Sequence, residues 1–227
     1  MSKIEELEKK MMKNGMTEDD FVRFKSLLRY VRSDFLKNQH CYTTAVQFPK
    51  ENAQQAIKLI QYGLDAFGDD YWSSRLRAYL NMGIIYCRTG DYKNAYQSFI
   101  NAQKQETTGE TYHIQISVYL LWTKMHIDKF QYSDKLEEYY NLYQKSDEFA
   151  KSFLNNRFRV AVSKIVIALH HGKKEEAKSA YQEALEIMNP GYKGKLFDIL
   201  KRHKYTESLE LTPEVIEYMG EIKSCLE

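Results

Sequence analysis

The side chains that could do chemistry in this sequence are few and widely scattered. His170 and His171 sit side by side before Gly172. Neighbours on a helix point about 100° apart, so one metal ion is hard for both to reach. A histidine pair favoured by the helix C-terminal dipole is the better account. His113 and His126 lie apart in the sequence, with Trp122 and Met125 near the second, and read as packing or surface residues. The three cysteines, Cys41, Cys87 and Cys225, are odd in number and form no C-x-x-C pair, which argues against a disulfide framework or a zinc site. Cys87 is expected to be a buried thiol. No H-E-x-x-H, Walker loop, G-x-G-x-x-G or G-x-S-x-G occurs, and the chain is expected to be no enzyme, with no catalytic residue, metal or cofactor.

Two stretches raise nucleic acid. Lys193, Lys195, Lys201, Arg202 and Lys204 interleave with Tyr192, Phe197 and Tyr205, a composition that can hold single strands. An amphipathic helix with a basic C-terminal end has the same composition, and that reading is favoured. Residues 10–20 resemble the opening of a helix-turn-helix. The apolar pattern, however, predicts one long helix from Thr17 to about Lys37, with no short recognition helix after it, so a DNA reader is not expected. Net charge is +2, from 33 basic and 31 acidic residues, which gives no electrostatic argument for nucleic acid or an anionic membrane.

The elements that position these residues read as helices throughout. The chain has 227 residues, 43% apolar, with 18 Tyr and 3 Pro, and apolar spacings of three and four dominate. Arg77 to Ala102 is the clearest stretch: a helix, the turn Thr89-Gly90-Asp91, and a second helix. Gly90 can end the first helix with φ > 0, and Asp91 can cap the next. Small residues, Gly83, Ala95 and Ala102, are expected where backbones approach closely, with Tyr79, Met82, Tyr86 and Phe99 filling the space between.

In chain order, Ser2-x-x-Glu5 predicts a capped helix over 2–14 that stops at Gly15. Thr17 starts the next, with Phe21, Phe24, Leu27, Leu28, Val31 and Phe35 on one face. Residues 39–50 are less periodic and read as a loop or distorted turn. Glu51 to Phe67 carries a clean stripe of Ala53, Ala56, Ile57, Ile60, Leu64 and Phe67, ending at Gly68-Asp69-Asp70, and the helix containing Trp72, Leu76 and Ile84 follows. Thr107-Thr108-Gly109 is a turn. Residues 110–129 form a helix that is apolar almost all round, hence buried from several sides. Ser133 caps another. A fourth unit runs from about Asp147 to His171, turns at Gly172 and continues to Met188, where Asn189-Pro190-Gly191 stops it. Residues 192–204 and 213–226 read as closing helices, the second with Thr212 as cap and Pro213 at its first position.

Ala56, Ala95, Leu136 and Ala177 mark equivalent points, spaced 39, 41 and 41 residues apart. Four residues further on stand Ile60, Phe99, Tyr140 and Tyr181; seven further on stand Gly63, Ala102, Tyr143 and Ala184. A recurring pattern of this kind is how stacked hairpins bury a continuous core. Here the chain resembles the tetratricopeptide repeat family. Tyr79, Met82-Gly83, Tyr86, Gly90, Tyr92, Ala95, Phe99 and Ala102 fall at its signature positions, as do Ala168, Gly172, Ala177, Tyr181, Ala184 and Asn189-Pro190. The period is longer than that family's usual ~34 residues.

The resemblance implies one all-α domain over 1–227. N-terminal helices (1–38) precede about four hairpins (39–190), stacked in a right-handed α-solenoid superhelix, and capping helices (191–227) close it. It also implies a peptide groove lined by first helices, carried by Arg77, Leu80, Asn81, Ile84 and Arg88 in one unit and Arg159, Val162, Ser163, Val166 and His170 in another. Leu80 and Ile84 replace a carboxylate clamp found in some members. Asn81 is read as a partner for peptide amides, and the arginines as partners for acidic side chains. The alternative is a groove filled by the closing helices.

The expected function is a non-catalytic scaffold that holds a peptide or partner segment. A peptide-responsive regulatory sensor of bacterial type without a DNA-binding module is a second reading. A self-associating structural protein, through aromatics such as Tyr71, Trp72 and Tyr132, is a third, and would make a homo-oligomer. The charged start and the lack of an ~18-residue apolar run predict a cytoplasmic protein with no membrane partner.

Overall fold

The computed structural model describes residues 2–67, 72–105, 110–145, 154–188 and 212–226. All regular structure among them is helical. Packing divides the chain into two compact units, 1–109 and 110–227.

In the first unit, α1 spans Lys3–Asn14 and is capped reciprocally by Ser2 and Glu5. Gly15 ends it at φ +78°. The second helix, α2, spans Glu18–Leu28, with Thr17 and Asp20 capping one another. Lys10 reaches back to Asp20 at 2.6 Å, tying α1 to α2. The helix expected to run on to Lys37 stops at Leu28. A new helix, α3 (Asp34–Ala45), begins where the Ser33 side chain accepts from the Leu36 amide. A serine oxygen at this position satisfies an amide that otherwise lacks a partner. That cap starts α3 as a separate helix after the turn at 29–32, although the apolar spacing runs through the break.

Residues 39–45, expected to be irregular, belong to α3 and bury Cys41, Tyr42, Thr44 and Ala45. The chain then turns through the 3-10 helix Lys50–Asn52. The short third helix whose absence argued against a DNA reader is therefore present. Lys37 is the one Lys or Arg of α3, and it pairs with Asp34 at 2.7 Å. A helix so poor in cations is ill suited to a phosphate backbone.

Helix α4 (Ala53–Phe67), α5 (Trp72–Thr89) and α6 (Tyr92–Lys104) complete the first unit. The expected turn is present: Gly90 takes φ +79°, and Asp91 accepts from the Asn94 amide at 3.2 Å. Helix α1 packs on α2, α3 on α4, α4 on α5 and α5 on α6, and α3 also touches α5, so the first helices of successive hairpins meet. The expected close approach holds at Gly83, where a Cβ would lie 2.3 Å from the Phe99 ring. At Gly63 it would lie 2.8 Å from the Cys41 Cβ. A buried knot joins α1 to α3: Glu8 accepts from His40 Nδ1 at 2.6 Å and from Thr44 Oγ1 at 3.0 Å. The hydrogen bond to Glu8 raises the His40 pKa.

The second unit holds α7 (Glu110–Ile127), α8 (Asp134–Gln144), α9 (Leu154–His170), α10 (Lys174–Met188) and α11 (Pro213–Leu226). In α7 every residue from 116 to 123 is buried, as its all-round apolar character requires. It packs on α8 and α9, and α9 packs on α10. Gly172 makes the α9–α10 turn at φ +69°. Thr212 caps α11 by accepting from Val215 at 3.4 Å. Helix α11 lies against α10 and stacks Tyr218 on Phe130 at 4.7 Å.

The recurrent positions face the interior. Ala56, Ala95, Leu136 and Ala177 are buried, as are Gly63, Ala102, Tyr143 and Ala184. Cys87 is buried as expected. The turns at 68–70, 107–109 and 189–191, the start near Asp147, the basic stretch 192–205 and Tyr71 lie outside the described residues, as does the side chain of Trp72.

Candidate functional site

The expected groove residues separate into three groups. On α5, Arg77, Asn81 and Ile84 are half-buried and Arg88 is exposed, all on one face. Asn81 Nδ2 donates to the Tyr42 carbonyl at 3.4 Å, and Arg88 donates to the Val46 carbonyl. Both acceptors lie at the end of α3, where the Tyr42 carbonyl also accepts from the Val46 amide at 3.2 Å. Asn81 and Arg88 thus help close off α3, a role the sequence did not suggest. Leu80, on the same helix, is buried.

Arg159, Val162, Ser163 and Val166 form the second group, and all are interior. Helix α9 is packed by α7, α8 and α10, which leaves no side for a groove at these positions. Arg159 is 2% exposed, its guanidinium 4.5 Å from the Tyr119 ring centre and 5.8 Å from that of Trp122. Cation–ring attraction of this kind strengthens when both partners are dry. Ser163 Oγ donates back to the Arg159 carbonyl at 2.8 Å, within its own helix.

His170, the third case, is exposed and lies flat on Tyr132, ring centres 3.6 Å apart. His171 instead bonds Glu137 at 3.1 Å. Tyr132 donates to Glu137 at 2.6 Å and to Asp134 at 3.2 Å, and the bond to Glu137 pushes its phenol pKa up to about 12. The same phenol and His171 hold the Glu137 carboxyl below its ordinary value. The two histidines serve different partners and tie the α9 end to the α7–α8 connection. Among the described residues no three His, Cys, Asp or Glu side chains are grouped to hold a metal.

A further site lies in the first unit and was missed in the sequence. Val22, Lys25, Ser26 and Leu28 of α2, Arg29 just after it, Lys37 of α3, and Tyr62 and Phe67 of α4 line a cleft of about 480 Å³. Its floor is aromatic: Tyr62 meets Phe21 edge-on at 5.4 Å and Phe67 edge-on at 5.7 Å. Ammonium groups cover the rings. Lys25 sits 4.6 Å from the Phe21 centre, Lys58 4.9 Å from the same ring, and Lys37 5.3 Å from Phe67.

Lys58 and Lys37 pair with Glu18 and Asp34. Lys25 and Arg29 pair with no carboxylate among the described residues. Val22 stands 61% exposed at the rim. Burial raises the Tyr62 pKa, with Arg29 opposing, so the phenol remains a neutral hydrogen-bond donor or acceptor. The cleft thus sets two cations, Lys25 half-buried and Arg29 exposed, beside an apolar surface. Val22, Lys25, Ser26 and Arg29 recur at i, i+3, i+4 and i+7, a one-face spacing readable in sequence, but the α3 and α4 walls are brought by packing.

No described helix is long and apolar enough to cross a membrane. No family model, curated protein or solved structure matches the chain.

Proposed function

We propose that this protein is a non-catalytic interaction scaffold that docks a segment of a partner protein. The observation that carries this reading is the cleft of the first unit, where Lys25 and Arg29 stand without carboxylate partners beside the exposed Val22 and the Tyr62–Phe67 floor. A surface that mixes apolar and charged groups in a concavity between rigid helices suits capture of side chains from an extended or helical segment. The tetratricopeptide-like reading of the hairpins is consistent with the contacts of α3 on α5 and of α7 on α9. In this proposal the docking site moves from the α5 and α9 faces to the α2–α4 cleft.

Selection from a random peptide library on the full chain tests the proposal. Enriched peptides should share a short consensus and lose binding to the Val22→Asp variant, whose exposed position tolerates the change. Failure to enrich any consensus, or enrichment that Val22→Asp leaves untouched, would overturn it.

A further inference from the structure

We infer that the occupant of the α2–α4 cleft is an acidic protein segment carrying an aromatic or large aliphatic anchor, an inference that rests on the docking proposal above. The charge argument comes first. Lys25 on α2 and Arg29, the αR residue that caps its end, are one helical turn apart, which separates their Cα atoms by about 6 Å. Alternate residues of an extended chain are about 6.8 Å apart and point to the same side. A segment with carboxylates at i and i+2 therefore presents both charges to both cations at once. Lys37 and Lys58 already hold Asp34 and Glu18, so the donors left to meet further carboxylates are those of Lys25 and Arg29.

The apolar argument follows. Val22 at the rim and the edges of Tyr62 and Phe67 offer contact area that carboxylates alone leave wet. An anchor at i+4 falls on the same side as the two acids.

Nucleic acid fits less well, although basic and aromatic residues meet here. Base stacking needs open ring faces, and here Lys25, Lys58 and Lys37 lie over Phe21 and Phe67. A net charge of +2 supplies little long-range attraction to a polyanion.

The test uses four probes on the full chain by fluorescence anisotropy. They are a labelled peptide Gly-Glu-Ser-Glu-Ser-Phe-Gly, its Glu-to-Lys counterpart, its Phe-to-Ala counterpart and oligothymidylate. The acidic aromatic peptide should bind tightest, weaken with added salt, and lose about tenfold in affinity with Lys25→Glu or Arg29→Glu. Arg29→Lys should retain most of the binding. Circular dichroism melts confirm that the variants stay folded.

Equal binding of the acidic and lysine peptides, or affinity indifferent to Arg29→Glu, would overturn the inference. So would oligothymidylate that binds tighter and loses affinity in the same variants. If library selection instead yields uncharged apolar peptides sensitive to Val22→Asp, the docking proposal stands and the acidic class falls.

Discussion

Gly83→Ala tests the closest backbone approach in the first unit. The added Cβ would lie 2.3, 2.5 and 2.7 Å from three carbons of the Phe99 ring. Phe99 is fully buried on α6, so its ring has little room to retreat. Forcing a methyl into such a contact costs up to about 3 kcal/mol. Alanine returns about 1 kcal/mol of helix propensity. The expected net loss is about 2 kcal/mol, read as a lower urea midpoint with an unchanged slope. Gly220→Ala is the matched control: its Cβ meets nothing within 4 Å and the residue is helical. That substitution should stabilise by about 0.5–1 kcal/mol. Phe99→Leu should recover part of the Gly83→Ala loss in the double variant, because the two sites share one space. A Gly83→Ala protein as stable as the parent would refute the helix spacing from which the magnitude was worked.

Other predictions concern caps, turns and a buried titration. Burial lowers the His126 pKa to about 4, with Arg159 adding to the shift and Glu214 opposing it. The folded state then binds fewer protons than the unfolded one between about pH 4 and 6.5, so stability falls as pH drops through that window, by up to about 3 kcal/mol. His126→Gln should flatten this limb in denaturation measured from pH 7 to 4.5. Lys129 adopts φ +52° on an exposed turn, so Lys129→Gly should raise the thermal midpoint by relieving about 1 kcal/mol of left-handed strain. Ser33→Ala should cost about 1 kcal/mol through the lost α3 cap, with faster amide exchange at Leu36.

Much of the local architecture was readable because it is set within a few residues. Ser2, Thr17 and Asp91 cap the expected helices, and Gly90 and Gly172 turn with positive φ. Small residues at seven-residue offsets face inward because helical spacing alone decides which side is apolar. What failed involved competition or distance. The stripe from Phe21 to Phe35 ran through a cap, and periodicity by residue type does not register that α2 stops at Leu28 and Ser33 starts another helix.

The groove residues on α9 failed for a related reason. Arg159 and Ser163 were assigned to a groove by their position in the resembled repeat, yet neighbours on several sides bury them, with aromatic rings and a helix carbonyl as partners. The α2–α4 cleft depends on α4 bringing Tyr62 and Phe67 to α2 across some forty residues. No local pattern encodes that meeting.

Amide chemical-shift mapping with the strongest library-selected peptide tests the docking claim most directly. The account predicts shifts concentrated on Val22, Lys25, Arg29, Lys37, Tyr62 and Phe67, saturating with added peptide and absent in Val22→Asp. Shifts centred on Arg77, Ile84 or the second unit, with those six unmoved, would contradict it.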